Sequence, residues 1–284
     1  DGVRIKLVSV RVLDVQPWSG PLSGATVVSV RAFGAWPGGL RCRFGDGASS
    51  AGWNAGGSSR LRCVTPPSSA GMAGWVSMQL SSFSGALSSG GSFYYHSELT
   101  ASGVSPPLGP ERGGTRVVVL GGSFRDSYTL RCGFGSGAAP VLARFVDENQ
   151  LECIAPFHLP GVVKVLLSMN GQQYMDSGAT YEYQSALSVS FVSPGSVLAE
   201  GGTPITVHGS GFSSASEALG LLTCRIGSAV RRAVWASSSA LVCNTTRAMA
   251  GSARVEVSNN AREYTSDGVR IKLVSVRVLD VQPW

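Results

Sequence analysis

Short runs of β-branched and other apolar residues alternate with clusters of glycine, proline and serine along the whole chain. The clearest runs lie at residues 116–120, 162–167 and 205–207, and each is bounded by residues that favour turns and interrupt helices. No window carries the sustained apolar stripe of an amphipathic helix. The dipeptide Asn170-Gly171 predicts a two-residue type I′ hairpin turn, which requires positive φ at both positions. The pattern therefore predicts an all-β chain of short strands.

The strand pattern repeats in modules of about 89 residues. Four prolines keep this period, with spacings of 89, 88 and 89 positions: Pro17, Pro106, Pro194 and Pro283. Six cysteines keep the same phase as pairs separated by 21, 21 and 19 positions: Cys42/Cys63, Cys132/Cys153 and Cys224/Cys243. About seven short strands per module, with turn residues at regular intervals, favour a two-sheet antiparallel sandwich. We therefore expect three tandem β-sandwich domains, placed end to end.

The first eighteen residues recur letter for letter as the last eighteen, so that residues 1–18 equal residues 267–284. The three modules differ from one another at most positions, whereas this overlap across 266 positions is perfect. A recently copied three-module block, or one kept uniform, explains that contrast. The recurrence predicts that the chain is one 266-residue period of a longer repetitive polypeptide.

One cysteine pair in each module indicates one disulfide in each domain and an oxidising compartment. Closing a loop of about 22 residues removes roughly 3 kcal/mol of unfolded-state entropy, a large contribution for a small domain. Structural zinc is the competing interpretation. It does not fit, because the sequence lacks Cys-x-x-Cys and holds only three histidines: His96, His158 and His208. We expect no metal and no cofactor.

The third module carries a further set of landmarks. Residues 191–195 read Phe-Val-Ser-Pro-Gly, residues 201–212 begin with Gly-Gly-Thr and end with Gly-Ser-Gly-Phe, and a Cys-x-Ile-Gly motif follows. The middle module repeats this pattern between residues 104 and 124. The pattern resembles the IPT/TIG domain, whose fold is an immunoglobulin-like β-sandwich. The first module departs most, because residues 22–26 read Leu-Ser-Gly-Ala-Thr where the others have Gly-Gly-Thr.

The resemblance also implies where the domains begin and end. Residues 1–8 correspond to the last strand of a preceding repeat copy, and residues 275–284 correspond to the start of the next copy of the first domain. Between these segments we expect three IPT/TIG domains, at residues 9–97, 98–185 and 186–274. Almost no spacer separates the expected domains, which favours a stiff array.

Charged residues make up only 14% of the chain, below the average of about a quarter. A surface so poor in charge favours covalent glycans as the source of solubility. Asn244 begins the sequon Asn-Thr-Thr and is expected in a loop directly after Cys243. Hydroxyl and proline residues in two proline-rich stretches are candidates for O-glycosylation, with rigid turns as the alternative: Thr65, Pro66, Pro67, Ser68, Ser105, Pro106 and Pro107.

The distribution of charge and of reactive side chains argues against several classes of function. A net charge of +6 is spread thinly, and its longest basic run is Arg231-Arg232, so we expect no nucleic-acid binding, although some DNA-binding transcription factors contain IPT/TIG domains. Acidic residues are scattered, and His208 with Ser210 fits a turn better than a catalytic pair, so we expect no enzyme. No apolar run approaches the roughly 20 residues that cross a bilayer.

Tryptophan is distributed unevenly, with four of the six residues in the first module. Trp18 directly follows Pro17, one of the regularly spaced prolines, near a module junction. Trp284 is the copy of Trp18 in the second occurrence of the eighteen-residue segment. We expect Trp18 and Trp284 to pack at inter-domain contacts and to limit bending there. Placement in a domain core is the alternative.

Two classes of function remain open. The first is a non-catalytic, extracellular structural glycoprotein, one period of a tandem-domain polymer that forms a secreted or cell-surface fibril with an adhesion or matrix role. Its partners would be neighbouring copies of the repeat, other fibrils or glycans. The second is an adhesion or receptor ectodomain, as in plexin-like and fibrocystin-like proteins with serial IPT/TIG domains, in which one domain presents a partner-binding face. The perfect recurrence favours the polymer.

Overall fold

A computed structural model of the chain describes residues 10–33, 40–46, 49–54, 60–82 and 85–276. Its regular elements within these ranges are β-strands and one short helix, which confirms the predicted all-β class. Contacts divide the chain into two compact units. The first comprises residues 1–103, 118–153 and 164–179, and the second comprises residues 104–117, 154–163 and 180–284.

The described part of the first module forms two sheets within the first compact unit. Its strands are β1 (Arg11–Gln16), β2 (Ser19–Pro21), β3 (Val27–Phe33), β4 (Arg41–Phe44), β5 (Ser49–Ala51), β6 (Trp53–Asn54), β7 (Arg60–Val64), β8 (Gly74–Ser82) and β9 (Gly85–His96). One sheet has the order β1-β3-β7-β6 and the other the order β2-β9-β8-β4-β5. Alternate residues of β3, Val28 and Val30, are fully buried, as expected for a strand with one face on a core. Phe44 and Phe93 fill that core from the opposite sheet.

The middle module contributes strands to both compact units. They are β10 (Ala101–Ser105), β11 (Leu108–Pro110), β12 (Arg116–Gly121), β13 (Arg131–Phe134), β14 (Val141–Asp147), β15 (Gln150–Ile154), β16 (Gly161–Ser168) and β17 (Met175–Gln184). In the first compact unit β13 pairs antiparallel with β14 and β16, and β14 pairs antiparallel with β15. In the second compact unit β11 pairs in parallel with the end of β17.

The third module lies entirely in the second compact unit. Its elements are β18 (Ser188–Ser193), β19 (Ser196–Leu198), β20 (Pro204–Ser210), α1 (Ser214–Ala218), β21 (Thr223–Ile226), β22 (Ala229–Arg232), β23 (Val234–Ser237), β24 (Ala240–Asn244), β25 (Gly251–Ser258) and β26 (Arg270–Val274). The sheet orders are β18-β20-β24-β23 and β19-β26-β25-β21-β22. Ser213 caps α1, because its hydroxyl accepts a hydrogen bond from the backbone N–H of Ser216. Val207, Leu241 and Val257 lie in the core with no exposed surface.

A buried disulfide lies in the core of each module. The bonded pairs have Cα–Cα distances of 6.3, 6.4 and 6.4 Å: Cys42–Cys63, Cys132–Cys153 and Cys224–Cys243. In the first and third modules the bond joins one sheet to the other, since its cysteines lie on β4 and β7, and on β21 and β24. Disulfides of this structural kind persist in oxidising compartments, so the chain is an extracellular protein.

A glycine in the left-handed region stands shortly before β3, β12 and β20, at Gly24 (φ 76°), Gly113 (φ 73°) and Gly201 (φ 80°). A Cβ atom on Gly113 would lie 2.5 Å from the carbonyl carbon of Pro156, which is closer than any side chain can approach backbone. The following residue is also left-handed, and in the first module Ala25 adopts this conformation with φ 63°. The first module therefore keeps the backbone geometry of the Gly-Gly-Thr turn despite its different sequence.

The predicted two-residue hairpin at Asn170-Gly171 is wrong. Strand β16 ends at Ser168 and β17 begins at Met175, so six residues connect them, and only Gly171 of the dipeptide has positive φ. The reason is that the Asn170 side chain closes the turn itself, as described below. Residues 1–9 and 277–284 lie outside the described residues, and with them the expected strand of a preceding copy and most of the expected start of a following one. The domain boundaries stay a prediction.

Candidate functional site at the module junctions

The connection between β16 and β17 is shaped by one asparagine side chain. Asn170 Oδ1 accepts hydrogen bonds from the backbone N–H groups of Gln172 and Gln173, at 3.0 and 3.1 Å. The hydroxyl of Ser168 donates to the same oxygen at 3.2 Å. An asparagine that binds backbone two and three residues ahead replaces the hydrogen bonds of a regular turn. This geometry leaves the Asn170 side-chain amide group free to donate elsewhere.

That amide reaches the first module, within the first compact unit. Asn170 Nδ2 donates to Thr26 Oγ1 at 3.2 Å and to Gln173 Oε1 at 2.6 Å. The Thr26 hydroxyl in turn donates to Gln173 Oε1 at 3.0 Å, and Gln173 Nε2 donates to the carbonyl of Ala25 at 2.9 Å. Thr26 has no exposed surface. Because buried polar groups are costly unless hydrogen-bonded, this network fixes the turn against the start of β3.

The neighbouring glutamine extends the same contact. Gln172 Nε2 donates to the carbonyl of Val27 at 2.8 Å, and Gln172 Oε1 accepts from the N–H of Val27 at 2.9 Å. A primary amide that pairs with both backbone groups of one residue imitates an added strand residue. The turn that comprises residues 168–173, here called the first junction turn, therefore binds both side chain and backbone of the first module.

The third module repeats this arrangement against the middle module, within the second compact unit. Asn260 Oδ1 accepts from the N–H groups of Arg262 and Glu263, at 3.0 and 3.1 Å, and from the hydroxyl of Ser258 at 3.1 Å. Asn260 Nδ2 donates to Glu263 Oε2 at 2.6 Å. The hydroxyl of Thr115, which is fully buried, donates to the same carboxylate oxygen at 2.8 Å. Residues 258–263 form the second junction turn.

The second junction also holds the connecting segment. Gln184, at the end of β17, accepts from Asn259 Nδ2 at 2.9 Å and donates to the hydroxyls of Ser213 and Ser216, at 3.1 and 3.3 Å. Because Ser213 caps α1, Gln184 ties the connecting segment to that helix. The Ala186 N–H donates to Glu111 Oε1 at 3.1 Å. The segment between the middle and third modules is therefore hydrogen-bonded at both of its ends.

His96 occupies in the first module the place that Gln184 occupies in the middle one, since each is the last residue of its strand. The imidazole is buried, with 4% exposure, and its Nδ1 lies 2.8 Å from the carbonyl oxygen of Ser97. Burial lowers the pKa of His96 because it disfavours the charged imidazolium. His96 and Gln173 of the first junction turn line one cavity. His96 therefore lies close enough to the first junction turn for its protonation to affect that turn.

Trp18 packs within its own module. Its indole stacks on Trp75 with a centroid distance of 5.5 Å and lies 6.3 Å from the ring of Tyr94. Arg125, from the middle module, places its guanidinium carbon 4.4 Å from the centroid of Tyr94. The cluster thus reaches the first junction through Tyr94, while the expected inter-domain contact of Trp18 itself stays a prediction. Trp284 lies outside the described residues.

The N-glycosylation sequon begins on the last residue of a strand and continues into the loop that follows. Asn244 is the last residue of β24, pairs with Pro204 on β20, and has an exposed side chain. Strand residues alternate between faces, so Asn244 points outward while Cys243 and Thr245 point inward. An outward side chain leaves room for a sugar, and glycosylation of Asn244 remains a prediction.

Two of the O-glycosylation candidates are poorly placed. Thr65 is 2% exposed and its hydroxyl accepts a hydrogen bond from the N–H of Thr26 at 3.1 Å, so no glycosyltransferase reaches it in the folded chain. Pro106 is also buried. The remaining candidates are at least partly exposed and stay predictions: Pro66, Pro67, Ser68, Ser105 and Pro107.

The reactive side chains form no further site in the part of the chain that the structure describes. There, no group of three or more histidine, cysteine, aspartate or glutamate side chains could hold a metal ion. No helix in the same ranges has the length and apolarity to span a membrane. His208 stacks on Phe191 at a centroid distance of 4.3 Å, and Ser210 shares a hydrogen bond with Ser188, so neither residue forms a catalytic pair with the other.

The junction turns are the functional feature that sequence reasoning missed. A signal was present, because Ser168 and Ser258 each stand two residues before an asparagine that is followed three residues later by Gln173 or Glu263. This in-phase recurrence distinguishes the asparagine from an ordinary turn residue. Its threonine partners lie about 145 positions away in sequence, with separations of 144 for Thr26 and 145 for Thr115. Sequence alone gives no means to connect them.

Comparison with known proteins identifies the middle and third modules. A model of the IPT/TIG domain matches residues 99–183 and 187–272. Human Plexin-A4 is 26% identical over 151 residues, which cover 50% of this chain and 8% of that protein. Human Fibrocystin-L is 26% identical over 168 residues, which cover 57% of this chain and 4% of that protein. The chain thus spans less than a tenth of the length of these relatives.

A solved structure shares the fold. The full extracellular region of Plexin A4 superposes with a TM-score of 0.50 at 18% identity, covering 87% of this chain and 22% of that one. This likeness and the two domain matches agree with the immunoglobulin-like sandwiches described above and confirm the resemblance that the turn and cysteine motifs indicated. The chain belongs to the IPT/TIG domain family.

Proposed function

We propose that this chain is a non-catalytic part of an extracellular adhesion or receptor protein, in which IPT/TIG modules hold a partner-binding face in a fixed orientation. The observation that carries the proposal is the hydrogen-bonded turn at each junction. Domains within one chain move relative to each other by default unless their interface is strong. Here Thr26 and Thr115 are both fully buried under a turn of the following module.

Opening either junction would be costly. Separation of the first junction turn from β3 would expose Thr26 and Gln173 to water and break the paired hydrogen bonds between Gln172 and Val27. Each buried hydrogen bond contributes about 1 kcal/mol net, and leaving one partner unsatisfied costs roughly 1–3 kcal/mol. A joint of this kind transmits orientation from one module to the next, as presentation of a binding face requires.

The relatives support this class of function. Plexin-A4 is represented by a structure of its extracellular region, and the matched part of Plexin-A4 and of Fibrocystin-L includes more than one module of this chain. The disulfides agree with an extracellular position. We assign no enzyme activity to the chain.

A second candidate, a repeating surface fibril, is favoured by one specific observation. Residues 4–8 are identical to β26, which completes the third module by pairing with β25 and β19. Recurrence of a strand that closes a domain is what a repeat of the three-module block would produce. In that case the partners would be neighbouring copies of the same block, and the same junction turns would stiffen the fibril.

An antibody against the chain, applied to cells of the source organism, tests the proposal. An adhesion or receptor protein predicts labelling of intact cells, loss of the label after protease treatment of the surface, and recovery in the detergent-extracted membrane fraction. Two results together would instead support the fibril. Immunogold label would lie at regular intervals along filaments, and tryptic peptides of residues 19–266 would be in large excess over all flanking peptides. Labelling only of permeabilised cells would contradict both candidates.

A further inference from the structure

Three structurally equivalent positions are covered in the first and middle modules and uncovered in the third. They are the proline before the second strand, the first residue of that strand, and the threonine before the third strand. These positions are Pro17, Ser19 and Thr26 in the first module, Pro106, Leu108 and Thr115 in the middle one, and Pro194, Ser196 and Thr203 in the third.

The difference in burial is large at all three positions. Pro17, Ser19 and Thr26 are buried, as are their counterparts in the middle module. By contrast, Pro194 and Ser196 are exposed and Thr203 is only partly buried. In the first and middle modules a junction turn lies over the threonine, with hydrogen bonds to Thr26 or Thr115. We call the corresponding uncovered region, Pro194, Ser196 and Thr203, the Thr203 surface.

Hydrogen bonds to Thr245 fix the backbone of Thr203. Its N–H donates to Thr245 Oγ1 at 3.1 Å, and the Thr245 hydroxyl donates back to the Thr203 carbonyl at 3.1 Å. Within the described residues the Thr203 hydroxyl itself takes part in no hydrogen bond, whereas those of Thr26 and Thr115 are both bound to a junction turn. The backbone is fixed and the hydroxyl is available, which is the state of a preorganised binding group.

We propose that the Thr203 surface is a docking site for a further IPT/TIG module that presents a turn of the form Ser-x-Asn-x-x-Gln or Ser-x-Asn-x-x-Glu. The asparagine amide of that turn donates to Thr203 Oγ1, and the Thr203 hydroxyl donates to the side-chain oxygen of the Gln or Glu. Both turns of this form in the chain are already engaged, at Thr26 and Thr115. The occupant is therefore a separate module.

Tethering decides where that module comes from. A contact of a few hydrogen bonds is weak between free molecules, but a short linker raises the effective concentration to the millimolar range. At the second junction only a few residues separate the end of β17 at Gln184 from the start of β18 at Ser188. We therefore assign the occupant to the same polypeptide, following β26. In a fibril the following module would be another copy of the first module, which contains no turn of this form. The assignment therefore rests on the adhesion or receptor function proposed above.

An extended chain tests the proposal. Residues 1–274 are followed directly by a second copy of residues 185–276, so that the appended module has a linker of natural length and carries the second junction turn. Hydrogen exchange measured by mass spectrometry reports on the peptide that contains Thr203. Docking predicts that its amides exchange about tenfold more slowly than in the original chain, which corresponds to about 1.4 kcal/mol of added protection.

Two substitutions in the extended chain serve as controls. Thr203→Val removes the docking hydroxyl, and Asn260→Asp in the appended copy keeps the turn oxygen but removes the donor. Each is expected to restore the original exchange rate at Thr203. Protection that survives both substitutions, or no protection although the appended module shows the slow exchange of a folded sandwich, would overturn the proposal.

A second measurement needs no appended module. In the original chain, Thr115→Val is expected to lower the melting temperature by several degrees because Glu263 and Asn260 lose a buried partner. Thr203→Val is expected to leave it unchanged. Equal losses for the two substitutions would mean that the Thr203 hydroxyl is already engaged, and the docking site would then not exist.

Discussion

At the residue scale, one left-handed glycine in each module lies so close to neighbouring backbone that it leaves no room for a Cβ atom: Gly24, Gly113 and Gly201. Gly201 has φ 80°, and a Cβ atom there would meet the backbone of Thr246 and Arg247. We predict that Gly201→Ala lowers the free energy of unfolding of the third module by roughly 2–3 kcal/mol, through strain and the clash together. Urea denaturation followed by tryptophan fluorescence measures the loss.

The adjacent glycine provides a matched control for this prediction. Gly202 has nearly the same φ, 78°, but a Cβ atom there meets nothing, and Ala25 already occupies the equivalent position in the first module. Gly202→Ala is therefore expected to cost only about 1 kcal/mol, the strain of a left-handed alanine. Equal losses for both substitutions would show that the close backbone approach at Gly201 has no energetic importance.

His96 links acidity to the stability of the first module. Because burial lowers its pKa below the ordinary value of 6.5, the unfolded chain binds a proton in a pH range where the folded chain does not. Stability therefore falls as the pH drops below about 6.5, by at most about 1.4 kcal/mol per pH unit. We predict that His96→Gln, with the residue found at the equivalent Gln184, reduces the difference between urea midpoints at pH 7.5 and pH 5.5.

His208→Gln is the control, because it removes an imidazole from a position far from the first junction in sequence. If the wild-type chain and His96→Gln lose the same amount of stability between the two pH values, His96 does not respond to acid as described.

Sequence reasoning worked well for residues that recur in every module. It worked poorly for residues whose role depends on which way the side chain points. The in-phase spacing of Cys42 and Cys63 indicated a bonded pair, because two cysteines in each of three modules have few other uses. Thr65, two residues further, was a candidate for a sugar. A threonine before a proline looks the same in sequence whether its hydroxyl faces solvent or, as here, the N–H of Thr26.

At the element scale, the turn between β16 and β17 shows how a local preference can be overridden. Asn-Gly favours a tight hairpin when nothing else competes. In the chain, the Asn170 side chain binds the backbone ahead of it and also Thr26, so the connection is six residues long. The equivalent turn uses Ala261 with φ 58° where the other has Gly171, which shows that the asparagine and not the glycine is the shared requirement.

Replacement of Asn170 separates the two roles of its side chain. Asn170→Asp keeps the oxygen that accepts from Gln172 and Gln173 but removes the amide that donates to Thr26. We predict a loss of roughly 1–3 kcal/mol in the unfolding free energy of the first compact unit. Asn170→Ala should cost more, because the turn hydrogen bonds are lost as well. Urea denaturation measures both losses, and an Asn170→Asp variant as stable as wild type would contradict the assigned donor role.

Gln172 offers a milder comparison at the same turn. Its hydrogen bonds to the backbone of Val27 are exposed to solvent, where water can replace them. Gln172→Ala is expected to cost about 0.5–1 kcal/mol, less than either change at Asn170. A larger loss at Gln172 than at Asn170 would place the main energy of the junction in the exposed pair.

At the scale of the whole molecule, repetition made the architecture readable from sequence. The regular prolines, the cysteine pairs and the Gly-Gly-Thr turns indicated IPT/TIG sandwiches, and the fold and the family comparison agree. The junctions could not be predicted, since they join Asn170 to Thr26 and Glu263 to Thr115 across about 145 positions. Periodicity reports on the interior of each module and carries no information about which surfaces meet.

Each disulfide should stabilise its own module. Replacing Cys224 and Cys243 by alanine opens a loop with a separation of 19 positions. We predict a loss of roughly 3 kcal/mol in the unfolding free energy of the third module, because the unfolded chain gains conformational freedom. Hydrogen exchange resolved by peptide measures the loss, and peptides of β3 and β7 in the first module provide the internal control. A uniform loss across all modules would contradict independent stabilisation.

The central claim is that a turn of each following module binds the buried threonine of the module before it. A double-mutant cycle of Thr26→Val and Asn170→Ala, measured by urea denaturation, tests this most directly, because the cycle cancels the separate effect of each change on its own module. The account predicts a coupling energy of about 1 kcal/mol or more between the two sites. Losses that add to within about 0.3 kcal/mol would show that Thr26 and Asn170 do not interact, and the account of the junctions would be wrong.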